Sequence, residues 1–562
     1  MKKQKFSIPK NHNGVIMVPL GGCGQIGKNM TLYCYKGTWI MIDIGASFGD
    51  ERIVPGADII IPDITFIKKN NIKISAIVLT HVHEDHVGAA SHYIRDLNCP
   101  IYGTSFAIDF TKLRFQDRNV DPKKIKFIEI TDEIFKIGDF TINPIGLTHS
   151  IPEMQAMFIS AGDVTIFHTG DWKLDPNPVV GKTSDLKKIE SVTKKGVTAM
   201  VCDSTNVMSE GRSRSESDLE DSFFEIMKDK KGRIFITSFA SNVARLQTIS
   251  QVAKKLNRSV GMSGLSLHKI TSIAKKNGYL DGFEFLDAKD AMNCKPSESI
   301  IICTGCQGEP MASIAKASND SHPILKINNN DTVIFSSKII PGNEKKILYT
   351  MNRFADKNID VITERDHFVH VSGHPKKDEI REIYNLSKPK FAIPVHGDSV
   401  NLRHHCEMVK KEKLAKDAVF LRDGDVLLVE ADKVEKIGTI NADFVCVDGS
   451  ELISPASIVM KERRKLKNDG VVFISIVLDI KANLIKNLEI RNIGLIDDNA
   501  KNNEMIKDLS EKLIKQGNKD YSKISKDKLQ SKLAELINHQ VFKFVKHFFQ
   551  KEPIIDIIFH EA

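Results

Sequence analysis

Short apolar runs closed by polar turns recur through the N-terminal part of the chain: VIMVPLGG, WIMIDIGA, ISAIVLTH, FTINPIGLTH, VTIFHTGD and VTAMVCDS. Runs of this kind, bounded by Gly, Asp, Ser or His, read as strands. From about Glu216 the period changes. ESDLEDSFFEIMKDKKGRIFITSFASNVARLQTISQVAKKL alternates helical stripes with short apolar segments, and the alternation continues to about Arg365. That is the pattern of a parallel α/β unit. Strand-and-loop segments rich in histidine then return. Beyond Gly449 a charged connector, KERRKLKNDG, leads to the strands VVFISIVLDI and NLEIRNIGLI, two amphipathic helices and a last strand, PIIDIIFHE. The second helix, expected over about 526–550, repeats Leu529, Leu533, Leu536, Ile537, Val541, Phe544, Val545 and Phe548 at helical spacing. Such a stripe reads as core or subunit contact before it reads as a ligand face.

Length and composition narrow the class without naming a chemistry. A chain of 562 residues suggests about three to five domains. With 41% hydrophobic and 27% charged residues, its usage is that of an ordinary globular protein, not a disordered or fibrous one. No apolar run reaches the roughly 18–20 residues of a membrane span, and MKKQKFSIPKNHNG lacks the apolar segment of a signal peptide, so a cytoplasmic protein is expected. Nine scattered cysteines, an odd count, argue against a disulfide scaffold. Cys303 and Cys306 make a CxxC pair, but no second pair completes a zinc knuckle, and the pair reads as incidental. The net charge of +8 is the difference between 80 basic and 72 acidic side chains, which permits a polyanionic partner and identifies none.

Two motifs compete for attention. GCGQIG, Gly22 to Gly27, fits the dinucleotide fingerprint, with Asp43 at a suitable distance. That fold needs a helix directly after the glycines, whereas NMTLYCYKGTWIMID reads as two strands around Lys36-Gly37, so the dinucleotide reading is set aside. HVHEDH is stronger. A strand, ISAIVLT, delivers His81 and His83 to its C-terminal end, where alternate residues share a face. Asp85 and His86 follow on the next turn, and imidazole nitrogens and carboxylates are the ligand types that zinc takes. A solvated loop explains that density of ligands poorly. Further ligands are expected at other strand ends, and His149, Asp171 and His396 end FTINPIGLTH, VTIFHTGD and KFAIPVHG.

A second feature suits phosphate. GRIFITSF reads as a strand and SNVARLQTISQVAKKL as a helix, which puts the hydroxyls of Ser238 and Ser241 at a helix N-terminus. Ordinary capping by Ser241 is the plainer alternative, and the two are compatible.

HVHEDH, His149, TGDWKLD and DIG at Asp43 together resemble the metallo-β-lactamase superfamily. The region between CDSTN and HVSGHPKKDEI, with ITSFASNVARLQ, CTGCQGEPMAS and PVHGD, resembles its β-CASP nucleic-acid-processing branch, most closely the ribonuclease J family. The resemblance covers nearly the whole chain. It implies an α/β fold: a metallo-β-lactamase αββα sandwich with an inserted β-CASP domain and a small C-terminal α/β domain. The expected divisions are 1–210 and 366–449 for the sandwich, 211–365 for the insert and 450–562 for linker and C-terminal domain. Carried over by position, His81, His83 and His149 would hold one Zn2+. Asp85, His86 and His396 would hold a second, with Asp171 bridging. Mn2+ could substitute in this N/O environment. His370, Val371, Ser372, Gly373 and His374 would contact the phosphodiester. The chain departs from the family pattern at Val82, Pro375-Lys376 and Cys306, none of them a proposed ligand.

The function implied is a zinc-dependent ribonuclease with endonuclease and 5′-to-3′ exonuclease activity in RNA maturation and decay. Water activated between two metals would leave a 5′-phosphate and a 3′-hydroxyl. Asp85 would ligate and orient the nucleophile, and His374 would contact phosphate or act as the leaving-group acid. The partners implied are single-stranded RNA, RNA-decay proteins and further copies of the chain in a homodimer or homotetramer, with no membrane. Three alternatives stand beside this. A small-molecule metallohydrolase would not need the insert. A noncatalytic RNA-binding subunit would have eroded ligands, yet all seven are present. A DNA-directed β-CASP nuclease differs at a 2′-hydroxyl contact that no residue here identifies.

Overall fold

The computed structural model describes residues 12–340, 342–479, 484–521 and 529–562. The chain forms two units, one from its start to Ser47 and from Ile61 to Asp443, the other from Phe48 to Ile60 and from Phe444 onward. Residues 1–11, on which most of the signal-peptide expectation falls, lie outside the described residues.

In the first unit, eight strands pair in the order Lys433–Thr439, Asp425–Glu430, Val15–Gly21, Met30–Tyr35, Thr38–Ile42, Ile74–Val78, Ile101–Gly103 and Phe127–Glu129. A second sheet runs Phe135–Ile137, Phe140–Gly146, Gln155–Ala161, Val164–His168, Val197–Asp203, Pro389–Val395 and Asp417–Ala418. One core draws on both: Tyr33, Ile40, Ile42 and Val78 from the first sheet meet Phe140, Ile142, Ile159, Ile166 and Ile393 from the second. The second sheet's other face packs on helices Leu186–Thr193, Lys377–Ser387 and Ser399–Glu412 through residues such as Ile189, Ile383 and Val409. This burial on both faces explains the apolar runs, since a strand covered twice needs no polar alternation. The result is the αββα sandwich that the resemblance implied.

Strands Val197–Asp203 and Pro389–Val395 are parallel neighbours, with Asp203 opposite Val395. Much of the chain between them builds a separate parallel sheet, ordered Phe285–Asp287, Ser259–Ser263, Ser299–Cys303, Ile234–Thr237, Thr332–Phe335 and Asp360–Ile362. It is the inserted α/β domain expected from the change of period. After GCGQIG come the strands Met30–Tyr35 and Thr38–Ile42, turning through Lys36 (φ 47) and Gly37 (φ 83), and not a helix.

The second unit contains a sheet of Leu484–Ile493, Val471–Asp479 and Ile554–Glu561, with helices Ala500–Tyr521 and Leu529–Phe549. Leu529, Leu533, Ile537, Val541 and Val545 are buried in one core with Val472, Ile474 and Ile476, and Leu536 and Phe544 pack against it, so most of the apolar stripe is core, while Phe548 is exposed. Residues 526–528 of the expected helix lie outside the described residues. The connector KERRKLKNDG is not a linker. It belongs to helix Ile458–Asp469, which Ser457 caps by accepting from the Met460 N–H and which ends at Gly470 (φ 76). Its Met460 is buried in a small core with Val54, Ala57, Ile60 and Cys446. That single anchor is too sparse to show as a stripe. Among the described residues no helix is long and apolar enough to cross a membrane, and all nine cysteines are free.

Candidate metal centre

The site is assembled at the C-terminal ends of strands. Strand Ile74–Val78 runs to His81, and His83 immediately precedes the short helix Glu84–Val87, which carries Asp85 and His86. Asp171 follows Val164–His168, Asp203 ends Val197–Asp203 and His396 follows Pro389–Val395. These last three strands are parallel neighbours, so their ends lie side by side. The rejected nucleotide motif has a different use. Cys23–Gly24 pairs with Gly397–Asp398, and Asp423 accepts from the Cys23 N–H (2.8 Å) and Gln25 Nε2 (2.9 Å), bracing the turn at His396, whose φ is 51°.

All seven residues expected from the sequence as ligands come together in two groups. His81, His83 and His149 offer ligand atoms within 4.8 Å of one another, and so do Asp85, His86, Asp171 and His396. Asp171 Oδ2 stands 3.9 Å from His81 Nε2, 3.1 Å from His86 Nε2 and 3.5 Å from His396 Nε2, between the two groups.

Hydrogen bonding determines which ring nitrogen is left with a lone pair. Thr80 Oγ1 donates to Asp43 Oδ2 (2.8 Å), so at 3.0 Å it must accept from His81 Nδ1–H, leaving His81 Nε2 as acceptor. His86 Nδ1–H donates to the same Asp43 oxygen (2.7 Å). His149 Nδ1–H donates to the Gly373 carbonyl (2.7 Å). Thr205 Oγ1 donates to Asp203 Oδ1 (2.7 Å) and therefore accepts from His396 Nδ1–H (2.7 Å). His81 and His149 are thereby left with inward Nε2 lone pairs, and in His86 and His396 Nε2 is the inward-facing nitrogen. Asp43 and Asp203 thus orient the His81, His86 and His396 rings. Asp43 appeared in the sequence only as part of a motif, and Asp203 was missed as a site residue although it ends an apolar strand just before STN, a context close to that of Asp171.

Such a set fits divalent cations. His83 Nδ1 faces the lone pairs of His81 Nε2 (3.1 Å) and His149 Nε2 (3.0 Å), and a single proton cannot serve both. Burial lowers His81 and His149 well below the ordinary imidazole value and His83 to about 4, so all three are neutral donors. Asp171 Oδ1 is buried without a hydrogen-bond partner, a costly state for a carboxylate. Burial would raise the Asp171 carboxyl, but His396 and His86 overcome it and hold the group at about 2. Against burial, the carboxylates around His86 and His396 raise both well above normal. This pocket requires positive charge, which metal ions would supply in place of those protons.

His374 joins a third cluster with Asp171, Asp203 and His396. Its Nδ1–H donates to Asp203 Oδ2 (2.7 Å), its ring stacks on His396 at 5.3 Å, and its side chain is 21% exposed. The rest of HVSGH supports this placement. Ser372 Oγ accepts from Asn206 Nδ2 (2.8 Å) and the His374 N–H (3.2 Å), while Ser213 Oγ donates to the His374 carbonyl (2.7 Å). Val371 is buried, and His370 is half-buried with its Nδ1 atom enclosed and without a hydrogen-bond partner. Ser238 Oγ is likewise buried and unpartnered, beside Thr237 Oγ1 in the same state. Ser241 is not the cap. Helix Val243–Lys255 is capped by Asn242, whose side chain accepts from the Arg245 N–H (2.9 Å).

Comparison with known proteins covers most of the chain. Residues 23–171 match the metallo-beta-lactamase superfamily, 231–354 the ribonuclease J beta-CASP domain, 358–420 the Zn-dependent metallo-hydrolase RNA specificity domain and 458–562 the ribonuclease J C-terminal domain. A ribonuclease J of Sinorhizobium meliloti is 35% identical over 492 residues, 86% of either chain. One from Helicobacter pylori strain B128 is 32% identical over 96% of this chain and 78% of its own. Another from Thermus thermophilus is 32% identical over 83% and 82%.

Proposed function

Because this chain belongs to the ribonuclease J family and is a metal-dependent ribonuclease, we propose that it hydrolyses single-stranded RNA at a two-zinc centre built from the seven clustered side chains. His81, His83 and His149 would hold one ion and Asp85, His86 and His396 the other, with Asp171 standing between the two groups. Mn2+ is an acceptable replacement for this donor set. The observation carrying the assignment is the convergence of two imidazole lone pairs on His83 Nδ1, together with the unpartnered Asp171 Oδ1. Bound divalent ions supply Lewis-acid stabilisation of charge on the phosphodiester and acidify water.

The chain's own groups then have distinct tasks. Asp85, the most exposed of the ligand carboxylates, orients the attacking water and accepts its proton. His374, its Nδ1–H held by Asp203, delivers a proton from Nε2 to the departing 3′-oxygen, so the products carry a 5′-phosphate and a 3′-hydroxyl. His370, Val371, Ser372 and Gly373 line the phosphodiester path through this loop, and Ser238 and Ser241 hold the RNA backbone, a reading supported by the unpartnered hydroxyl of Ser238. Both endonucleolytic and 5′-to-3′ exonucleolytic cleavage follow from one such centre fed by a single strand.

We assign 1–210 and 366–449 to the sandwich, 211–365 to the insert and 450–562 to the C-terminal domain, with helix Ile458–Asp469 in the place expected for its linker. That last domain supports a homodimer or homotetramer, for which the exposed Ile493, Phe548 and Ile558 supply apolar surface. A cytoplasmic location and RNA-decay partner proteins complete the reading. The test is elemental analysis of purified protein with cleavage of matched single-stranded RNA and DNA. We expect about two zinc-like ions per chain, RNA cleavage abolished by chelators and restored by Zn2+ or Mn2+, and 5′-phosphorylated products. Chelator-indifferent cleavage by metal-free protein would overturn the metal assignment, and equal cleavage of DNA the substrate assignment.

A further inference from the structure

Glu379 lies in the first turn of helix Lys377–Ser387, where an acidic residue ordinarily faces solvent and complements the helix dipole. Here it is fully buried. Its carboxylate accepts three backbone N–H bonds: Oε1 from Leu174 (2.9 Å), Oε2 from Ser213 (2.6 Å) and Lys376 (3.0 Å). The donors come from three separate segments. Leu174 lies three residues beyond Asp171, Lys376 two beyond His374, and Ser213 itself bonds the His374 carbonyl through its hydroxyl (2.7 Å).

We infer that Glu379 is a positioning residue for RNA cleavage, fixing the loop that carries His374 against the segment that carries Asp171. The inference rests on the reading of His374 as the acid. An ionised carboxylate only accepts, and its bonds to N–H groups are roughly twice as strong as neutral ones. Glutamine has nearly the same shape but offers one oxygen and one NH2. Whichever way the amide is turned, its NH2 confronts either the Leu174 N–H or those of Ser213 and Lys376. At least one segment is released, and displacement of a reacting group by about 1 Å costs on the order of 10²-fold.

The experiment is a double-mutant cycle on metal-loaded full-length protein, with Glu379→Gln, His374→Ala and their combination compared in steady-state and single-turnover RNA cleavage alongside metal content. Glu379→Gln is expected to lower kcat by about 10–100-fold with KM changed less than about twofold and metal content unaltered. In the His374→Ala background the same substitution should cost less than about twofold, because no imidazole remains to be misplaced. An equal loss in both backgrounds, a loss of metal, or wild-type kcat in Glu379→Gln would overturn the role. If Glu379→Gln fails to fold, Ser213→Ala, which removes the hydroxyl bond to the His374 carbonyl, is put through the same cycle with the same expectation. Wild-type turnover in His374→Ala would instead sink the acid assignment, and the positioning role with it.

Discussion

Replacing Gly373 by alanine tests whether the HVSGH loop aims a metal ligand. A Cβ at this position would sit 2.7 Å from both Cε1 and Nδ1 of His149 and 3.2 Å from Ser150 Oγ. The imidazole would have to retreat by about 0.7 Å to reach ordinary contact at 3.4 Å. It cannot do so freely, because its Nδ1–H bond to the Gly373 carbonyl (2.7 Å) sets the ring's orientation and its Nε2 stands 3.0 Å from His83 Nδ1. The φ of Gly373 is not in the left-handed region, so the effect should come from contact and not from backbone strain. Losing such a ligand-orienting partner typically costs 10–100-fold in metal affinity or activity, or about 1.4–2.8 kcal/mol. We expect Gly373→Ala to bind metal at the His81, His83 and His149 group 10–100-fold more weakly in chelator competition. Cleavage should fall at limiting metal and recover in part with excess Zn2+ or Mn2+. A variant with wild-type metal affinity and wild-type turnover would refute the reasoning.

Three further outcomes are expected. His396→Ala should lose or weaken one ion together with cleavage, whereas His374→Ala should keep its metal and lose about 10² in single-turnover rate; the reverse pattern in paired metal analysis and kinetics would exchange the two assignments. Arg245→Met leaves Glu216 without the buried guanidinium that now bonds it at 2.6 Å, and should cost about 3–5 kcal/mol, read as earlier thermal unfolding; an unchanged melting profile would count against it. Deleting 470–562 retains Met460 and Cys446 with Val54, Ala57 and Ile60, so metal content should hold while light scattering reports a smaller assembly; the same oligomer after deletion would exclude the C-terminal domain from assembly.

Much of the centre could be read directly from residue order. The strands showed as apolar runs because each is buried by contacts whose period is local, and His81, His83, Asp85 and His86 showed because ligands at one strand end are also neighbours in sequence. His149, Asp171 and His396 followed from the same rule of strand ends. What that rule could not reach was any feature determined by a partner elsewhere in the chain. KERRKLKNDG looked like a connector because one buried methionine anchors its helix, and residues 48–60 join the second unit through a core whose other members lie beyond residue 443. Glu379 stands in a helical first turn, where an acid ordinarily faces solvent, yet its three donors lie in segments brought together only by folding. The inward lone pairs are the clearest case. The residue types supply imidazoles, but which nitrogen is free depends on a second hydrogen bond, and for His149 that bond is to a carbonyl 224 residues away. Residue order determined the donors, whereas the packing of distant strands and loops determined where each donor points, because a hydrogen bond depends on spatial proximity and alignment and not on separation along the chain.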